Sequence, residues 1–457
     1  MAKIINMRKY VKKQCLESIA SMSRAHREIA NFILRRQTED AAGLLEQCQQ
    51  EAIMVGTQIE ESEGEGTKAV HLLENYCELV YQFHQILREK MLLDADQMRI
   101  ALDELLQETS EILKCDIPTQ VEAVFLPYKA SMWDSLESVW EAAEEDPDCN
   151  AVVIPIPYFD KDPEGSFRDR HYEFDRYPPQ VPVVKYTEYD FESRHPDVIF
   201  IHNPYDDGNY VTSVHPFFYS RNLKKYTDEL VYIPYFILGE IEPDDEEAVK
   251  GMEHFVTVAA VIHADHVIVQ SDKMRQIYID VMTRQTEERM RPYWEKKILG
   301  LGSPKVDKVC NKKREDYELL PEWERLMFKP DGARKKVVFY NTTVSAFMKY
   351  GGAVLKKIET NFKIFQENRE DIVLWWRPHP LTEATLRTMH PELLEEYLDL
   401  VDRYCKEGWG IYDDSADMDR AIVISDGYYG DWSSIVWLYQ KTGKPIMIQN
   451  VELVEEE

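Results

Sequence analysis

AIVISDGYYGDWSSIVWLYQKTGKPIMIQN, residues 421–450, opens on an apolar run, breaks into glycines, tyrosines, aspartates and paired serines, and then resumes at helical spacing. AIVIS reads as a strand ending at Ser425 and Asp426, a helix begins near Ser433 and Ser434, and PIMIQN is the next strand. Strand, helix and strand in that order form a unit of a parallel sheet. Serine caps helices well and a helix start presents free N–H groups, so the turn suits an anion; a capped turn in an ordinary sheet explains it equally. Gly427 and Gly430 permit close backbone approach, and Tyr428 and Tyr429 stand where they would line such a pocket.

The same alternation runs upstream. KKVVFYNTT is a strand, AVLKKIETNFKIFQEN a helix, DIVLWWRPHP a strand and LLEEYLDLVDRYCKE a helix. Before a charged connector from about Cys310 to Arg334, VEAVFLPY, NAVVIPIPYF, VPVVKY, DVIFIHNPYD, ELVYIPYF and DHVIVQS supply further β-branched runs, several of them separated by helical patterns. The fold class expected is α/β, with two Rossmann-like domains over residues 116–310 and 330–457. Residues 1–115 read as helices, a hairpin or short coiled coil suited to packing or self-association. Leu72, Tyr76, Leu79, Val80, Phe83, Leu87 and Met91 fall on one face, and GTQIEESEGEG makes a mobile loop.

Composition narrows the function. With 54 basic and 83 acidic residues the net charge is −29, which repels nucleic acid, so an anionic ligand needs a local site. Residues 1–36 run against this trend with Lys3, Arg8, Lys9, Lys12, Lys13, Arg24, Arg27, Arg35 and Arg36. They suit a solvated helix face or peripheral contact with an anionic membrane. No apolar run approaches the roughly 18–20 residues of a membrane span, and seven scattered cysteines without a CxxC pair fit a reducing cytoplasm and no zinc site.

Ligands in open α/β sheets sit at the carboxyl ends of strands. There WWRPHP places Arg377 and His379 between prolines, the guanidinium a forked phosphate donor and the imidazole a donor or acid near neutrality. YNTTVSAF ends its strand on Asn341, Thr342 and Thr343. In the first α/β half, His202, near Asp206 and Asp207, and His215 are the histidines at candidate strand ends, each equally readable as structural. Arg221, Lys224 and Lys225 form a basic cluster suited to a phosphorylated acceptor or to solvent. The P-loop lysine signature and the HExxH zinc pair are absent, and the acidic triplets at 160–162 and 417–419 are too ordinary in so acidic a chain to indicate a metal.

RPHP, followed by AIVISD…DWSSIVWLYQKTGKPIMI, resembles the C-terminal domain of the CDP-glycerol glycerophosphotransferase family, the teichoic-acid primases and polymerases. HADHVIVQSDKMRQIY and ILGLGSPKVD, with Gly302, Ser303, Pro304 and Asp307, resemble the end of its N-terminal domain. The resemblance spans roughly residues 225–450. It implies the two-domain glycosyltransferase B fold, a CDP-linked donor in the interdomain cleft, a polyol- or glycan-type acceptor that is lipid-linked in some members, and transfer without a metal or other cofactor. It implies that Arg377 and His379 contact the donor pyrophosphate and that Gly430, Asp431, Ser433 and Ser434, with Asn341, Thr342 and Ser303, line the donor site. His379, His202 and His215 are the catalytic candidates, and the location expected is the cytoplasm at the inner face of the membrane. Two departures stand out: Pro234 and Tyr235 occupy the place of the family's Trp-His-Gly, and GYYG reads as an insertion between Asp426 and Asp431. A nucleotide-sugar transferase of the same fold, or a non-catalytic nucleotide-binding scaffold assembled through the N-terminal helices, is the alternative.

Overall fold

The computed structural model describes residues 6–449 apart from Lys90, Pro163, Ala416 and the side chains of Ala384 and Thr388; Lys3 and Asn450 lie outside the described residues. Four long helices, Lys9–Leu34, Thr38–Glu63, Lys68–Arg88 and Ala95–Cys115, pack each against its neighbours as a four-helix bundle. Their apolar stripes meet at its centre: Leu72, Tyr76, Val80, Leu87, Leu102, Leu106 and Leu113 are buried, whereas Met91 lies beyond the end of its helix, exposed. The acidic stretch expected as a loop is mostly helix, which continues to Glu63; only residues 64–67 connect. Thr67 caps the third helix by accepting from the Val70 N–H, and Asp94 caps the fourth by accepting from those of Asp96 and Gln97. None of the described helices is long and apolar enough to cross a membrane.

The bundle is tied to a parallel seven-stranded sheet through Met7–Arg8, which pairs with the start of Thr119–Leu126. That strand continues beside Cys149–Val153 and on its other side meets Val198–Ile201, then Glu229–Tyr232, His266–Ile268 and Ile298–Leu299. NAVVIPIPYF is not one strand: Pro155 and Pro157 interrupt it, and Tyr158–Lys161 joins a small antiparallel sheet. VPVVKY contributes only a bridge between Val183 and Val153.

The second sheet is also parallel, with five strands in the order Ile411–Tyr412, Ile372–Pro378, Lys336–Thr342, Gly427–Gly430 and Ile446–Ile448. Pairing of Asn341 with both Arg377 and Gly430 brings the RPHP and DWSS segments to one edge. Here the reading of the opening stretch needs correction. Ala421–Ile424 belongs to a helix, Met418–Ile424, started by the Asp417 carboxylate accepting from the Arg420 N–H; the strand is GYYG itself, so the quartet is not an insertion. A short run buried all round has no period that separates strand from core helix. GYYG conceals its strand because glycines are forced by proximity: a Cβ on Gly430, at φ 141°, would stand 2.2 Å from the Asn341 carbonyl oxygen.

The two sheets are joined by the helix Pro304–Asn311, which packs against Glu137–Glu145 in the first half and against Met418–Ile424 and Ser434–Gln440 in the second. Lys308 bridges them, 2.9 Å from Glu137 on one side and 3.3 Å from Asp419 on the other. Gly239 lies against Trp437, a further contact across the junction.

Replacing Gly430 by Ala should lower the unfolding free energy by roughly 2–4 kcal/mol through overlap and backbone strain, measured by urea denaturation. Gly443→Ala, at positive φ but in open space, should cost only about 1 kcal/mol.

Candidate functional site

The carboxyl edge of the second sheet gathers Asn341, Thr342, Thr343, Arg377, His379, Gly430, Asp431, Ser433 and Ser434, as the sequence leads one to expect, but most of its polar atoms are committed to one another. Asn341 Nδ2 donates to the Arg377 carbonyl at 3.0 Å, while its Oδ1 lies 3.3 Å from Ser433 Oγ. Asp431 accepts from the Thr343 N–H at 2.8 Å and pairs through its other oxygen with the fully buried Lys357. Thr342 Oγ1 accepts from the Trp376 indole at 3.2 Å. Arg377 departs from its expected role. Its guanidinium is buried, 3.0 Å from Asp413 Oδ1 and donating to the Ser415 carbonyl at 2.5 Å, so its fork is filled within the protein.

His379 is different. Its Nδ1 accepts from the Leu381 N–H at 3.1 Å, which leaves the proton of the neutral ring on Nε2, and that nitrogen has no partner among the described residues. Although the residue is exposed, partial desolvation of the ring by its neighbours lowers its pKa below the usual histidine value, favouring the neutral ring. Ser434, the first residue of the helix Ser434–Gln440, is likewise exposed. The edge therefore offers outward donors on a scaffold whose remaining polar groups are already satisfied.

The other candidates lie elsewhere. His202 is fully buried: Nε2 accepts from the Tyr128 N–H at 3.0 Å and Nδ1 lies 2.8 Å from Ser135 Oγ. Burial drops its pKa to about 3. Both nitrogens are thus spent on the chain crossing after the Thr119–Leu126 strand, which corrects its placement as a group facing an acceptor. His215 caps a short turn by accepting from the Phe217 N–H and lines an open aromatic cavity of about 330 Å³ with Tyr186, Phe191, Phe218 and Tyr226. Ser303 starts the joining helix, and its buried hydroxyl has no partner among the described residues. It lines a narrow pocket with Pro234 and Gln270. Asp206 is buried on Ser220, whereas Arg221 pairs with Asp207 and Lys224 with Asp265 at the surface.

A cleft of about 280 Å³ opens between the halves of the molecule. Ala130, Trp133, Asp134 and Arg176 come from the first half, Lys305 and Lys308 from the joining helix, and Asp417, Met418 and Asp419 from the second. Lys305 is ion-paired with Asp134, and Lys308 with Glu137 and Asp419. Asp419, almost wholly buried, has its pKa pushed up to about 7, first by burial and then by the negative charge of Asp134, against the opposing pull of Lys308 and Lys305. Sequence reading touched this site only through the acidic triplet at 417–419. What makes the triplet matter is the lysines facing it from another element, at no fixed spacing. Among the described residues no group of three or more His, Cys, Asp or Glu is arranged to hold a metal.

Comparison with known families finds the same relation as the motifs. Residues 244–455 match the family described as CDP-Glycerol:Poly(glycerophosphate) glycerophosphotransferase. Over those residues, a little under half of the chain, the sequence is similar to this family. The match takes in the joining helix, the second sheet with its His379 edge, and the Asp417–Asp419 wall of the cleft. Solved structures that align include a wall teichoic acid polymerase (15% identity, 84% of this chain and 81% of that one, TM-score 0.41). Others are a putative UDP-N-acetylglucosamine 2-epimerase from Listeria monocytogenes (12%, 72% and 79%, 0.41) and the UDP-GlcNAc 2-epimerase from Neisseria meningitidis (8%, 73% and 85%, 0.41). No curated protein matches. Two parallel α/β sheets behind a helical N-terminal region are the α/β fold class that the sequence predicts.

Two measurements test the scaffold of the two halves. Asp431→Asn strands the Lys357 charge in the core and should cost about 3–5 kcal/mol by urea denaturation, part of which Lys357→Met restores in the same chain. For His202 the folded pKa is depressed, so below the unfolded value of 6.5 only the unfolded chain takes up the proton, and stability is lost as the pH falls. The stability advantage of the wild type over His202→Gln should shrink by about 2 kcal/mol between pH 7 and pH 5.

Proposed function

We propose that the protein transfers glycerol phosphate, or a related polyol phosphate, from a CDP-linked donor to a hydroxyl acceptor in the synthesis of a cell-wall or capsule polymer. The observation that carries this reading is the family match, because it covers the His379 edge and one wall of the charged cleft. The second α/β half, near residues 330–457, holds the donor, and the first, near 116–310, meets the acceptor. The acceptor oxygen attacks the phosphorus bearing the polyol, the bond from that phosphorus to the bridging oxygen breaks, and CMP departs. His379 contributes Nε2–H as a hydrogen-bond donor to the phosphates, and Ser434 adds a second donor. In a chain of net charge −29, Lys305, Lys308 and Arg176 bring cations to the cleft, where an anionic donor competes with Asp134, Glu137 and Asp419 for the ammonium groups. The helical bundle serves assembly or, through its basic first helix, contact with the membrane carrying the acceptor.

Titration calorimetry with CDP, UDP and GDP, together with CMP release from CDP-glycerol, tests the reading. The expected outcome is preference for CDP and turnover of CDP-glycerol; preference for UDP would indicate a sugar transferase, and binding without turnover a nucleotide-binding scaffold. His379→Ala should reduce turnover by about 100-fold or more, with a Tm within a few degrees of the wild type.

A further inference from the structure

No histidine lines the interdomain cleft: His202 is sealed in the core with both nitrogens bonded, His215 lines a separate aromatic cavity, and Pro234 and Tyr235 stand where the family resemblance leads one to look for another. The interdomain cleft holds an unusual set of unsatisfied groups instead. Three of the residues lining it are more than nine-tenths buried and keep a polar atom without a hydrogen-bond partner among the described residues: Trp133 Nε1, Asp134 Oδ1 and Asp419 Oδ1. Each such atom left dry costs roughly 1–3 kcal/mol, more for a charged one. Two acceptors and one donor in the wall of one open cleft match a hydroxyl-bearing ligand, since an alcohol gives one hydrogen bond and receives another. An anion alone would meet two carboxylates and gain nothing from them.

On the transferase reading above, we propose that Asp419 is the catalytic base, receiving the proton of the acceptor hydroxyl in the cleft, with Asp134 across the domain boundary as its positioning partner. The acceptor O–H bond breaks toward Asp419 Oδ1 as the oxygen forms its bond to the polyol-bearing phosphorus. The phosphorus–oxygen bond to CMP breaks, and CMP carries away the electron pair. Every charge is accounted for: Asp419 ends protonated, the transferred phosphodiester keeps its single negative charge, and CMP leaves as the dianion.

The surroundings give the carboxylate an affinity for protons suited to this step. Facing it are Asp134 and Glu137 from the first domain, Lys305 and Lys308 from the joining helix, Tyr317 from the connector, and Asp417 and Arg420 from its own segment. Lys308 holds Oδ2 at 3.3 Å, which fixes the carboxylate while leaving Oδ1 unengaged. Burial and Asp134 together bring its pKa up to about 7, where a general base works best near neutral pH.

The test is CMP release from CDP-glycerol as a function of pH, with glycerol- or polyol-terminated acceptors. Wild type should lose activity as the pH falls through neutrality, because the base is then protonated. Asp419→Asn should lower kcat by about 100-fold or more and abolish that acidic limb while still binding CDP; Asp419→Glu should retain measurable turnover. Asp134→Asn removes the negative charge that raises the base, so the limb should move to lower pH, a shift that damage to folding does not produce. Wild-type kcat and an intact limb in Asp419→Asn, or an unmoved limb in Asp134→Asn, overturns the assignment while leaving the transferase standing. Absence of CMP release from the wild type overturns the transferase reading and the base together.

Discussion

The structure of the second sheet's edge depends on one buried charge. Lys357 is wholly enclosed, and its ammonium is matched by Asp431 and by the Gln449 carbonyl. An isolated charge there would cost several kcal/mol, so Asp431 is held in place by the need to neutralise it. Its second oxygen then fixes the Thr343 backbone, and Gly430, immediately before it, lets the strand lie against Asn341. Asn341 in turn grips the RPHP strand through the Arg377 carbonyl. Three strand ends are thereby locked, and the exposed His379 and Ser434 inherit their positions from a network that itself faces inward.

This arrangement separates the residues that shape the edge from those free to meet a ligand. Arg377 illustrates the division. Its side chain resembles a phosphate clamp in the sequence, yet Asp413 and Ser415 absorb the guanidinium, and Asp413 also accepts from the Trp375 indole. The arginine thus ties the loop after Ile411–Tyr412 to the RPHP strand, and that loop leads into Asp417 and Asp419. An Arg377 change would act on the cleft through the position of this loop.

Much of the sheet architecture was legible because its signals are local. Lys336–Thr342, Ile372–Pro378 and the helix Ala353–Glu367 have runs long enough for their period to be read, and the caps and prolines mark their ends. The failures have equally local causes. Met418–Ile424 is a short helix buried on every side, so its apolar run carries no face, and GYYG lacks the branched residues of a strand because Gly430 must admit a neighbouring carbonyl. His202 stood at a strand end as expected, but burial is decided by Tyr128 and Ser135, which are distant in sequence. The cleft was the least legible feature: Asp134, Lys305 and Asp419 come from three elements, and no spacing connects them.

On the proposed transferase reading, the cleft also bears on how a strongly acidic chain would accommodate a phosphorylated donor beside buried carboxylates. Lys305 and Lys308 are each matched to an acid already present, so the site carries little unbalanced charge when empty. A donor phosphate entering near them competes with Asp134, Glu137 and Asp419 for the ammonium groups. Any weakening of the Lys308 contact raises the proton affinity of Asp419, since that lysine's charge is one of the two that hold it down. Donor binding and proton acceptance therefore draw on the same lysines, which couples the occupancy of one domain to the chemistry facing the other without requiring any additional group.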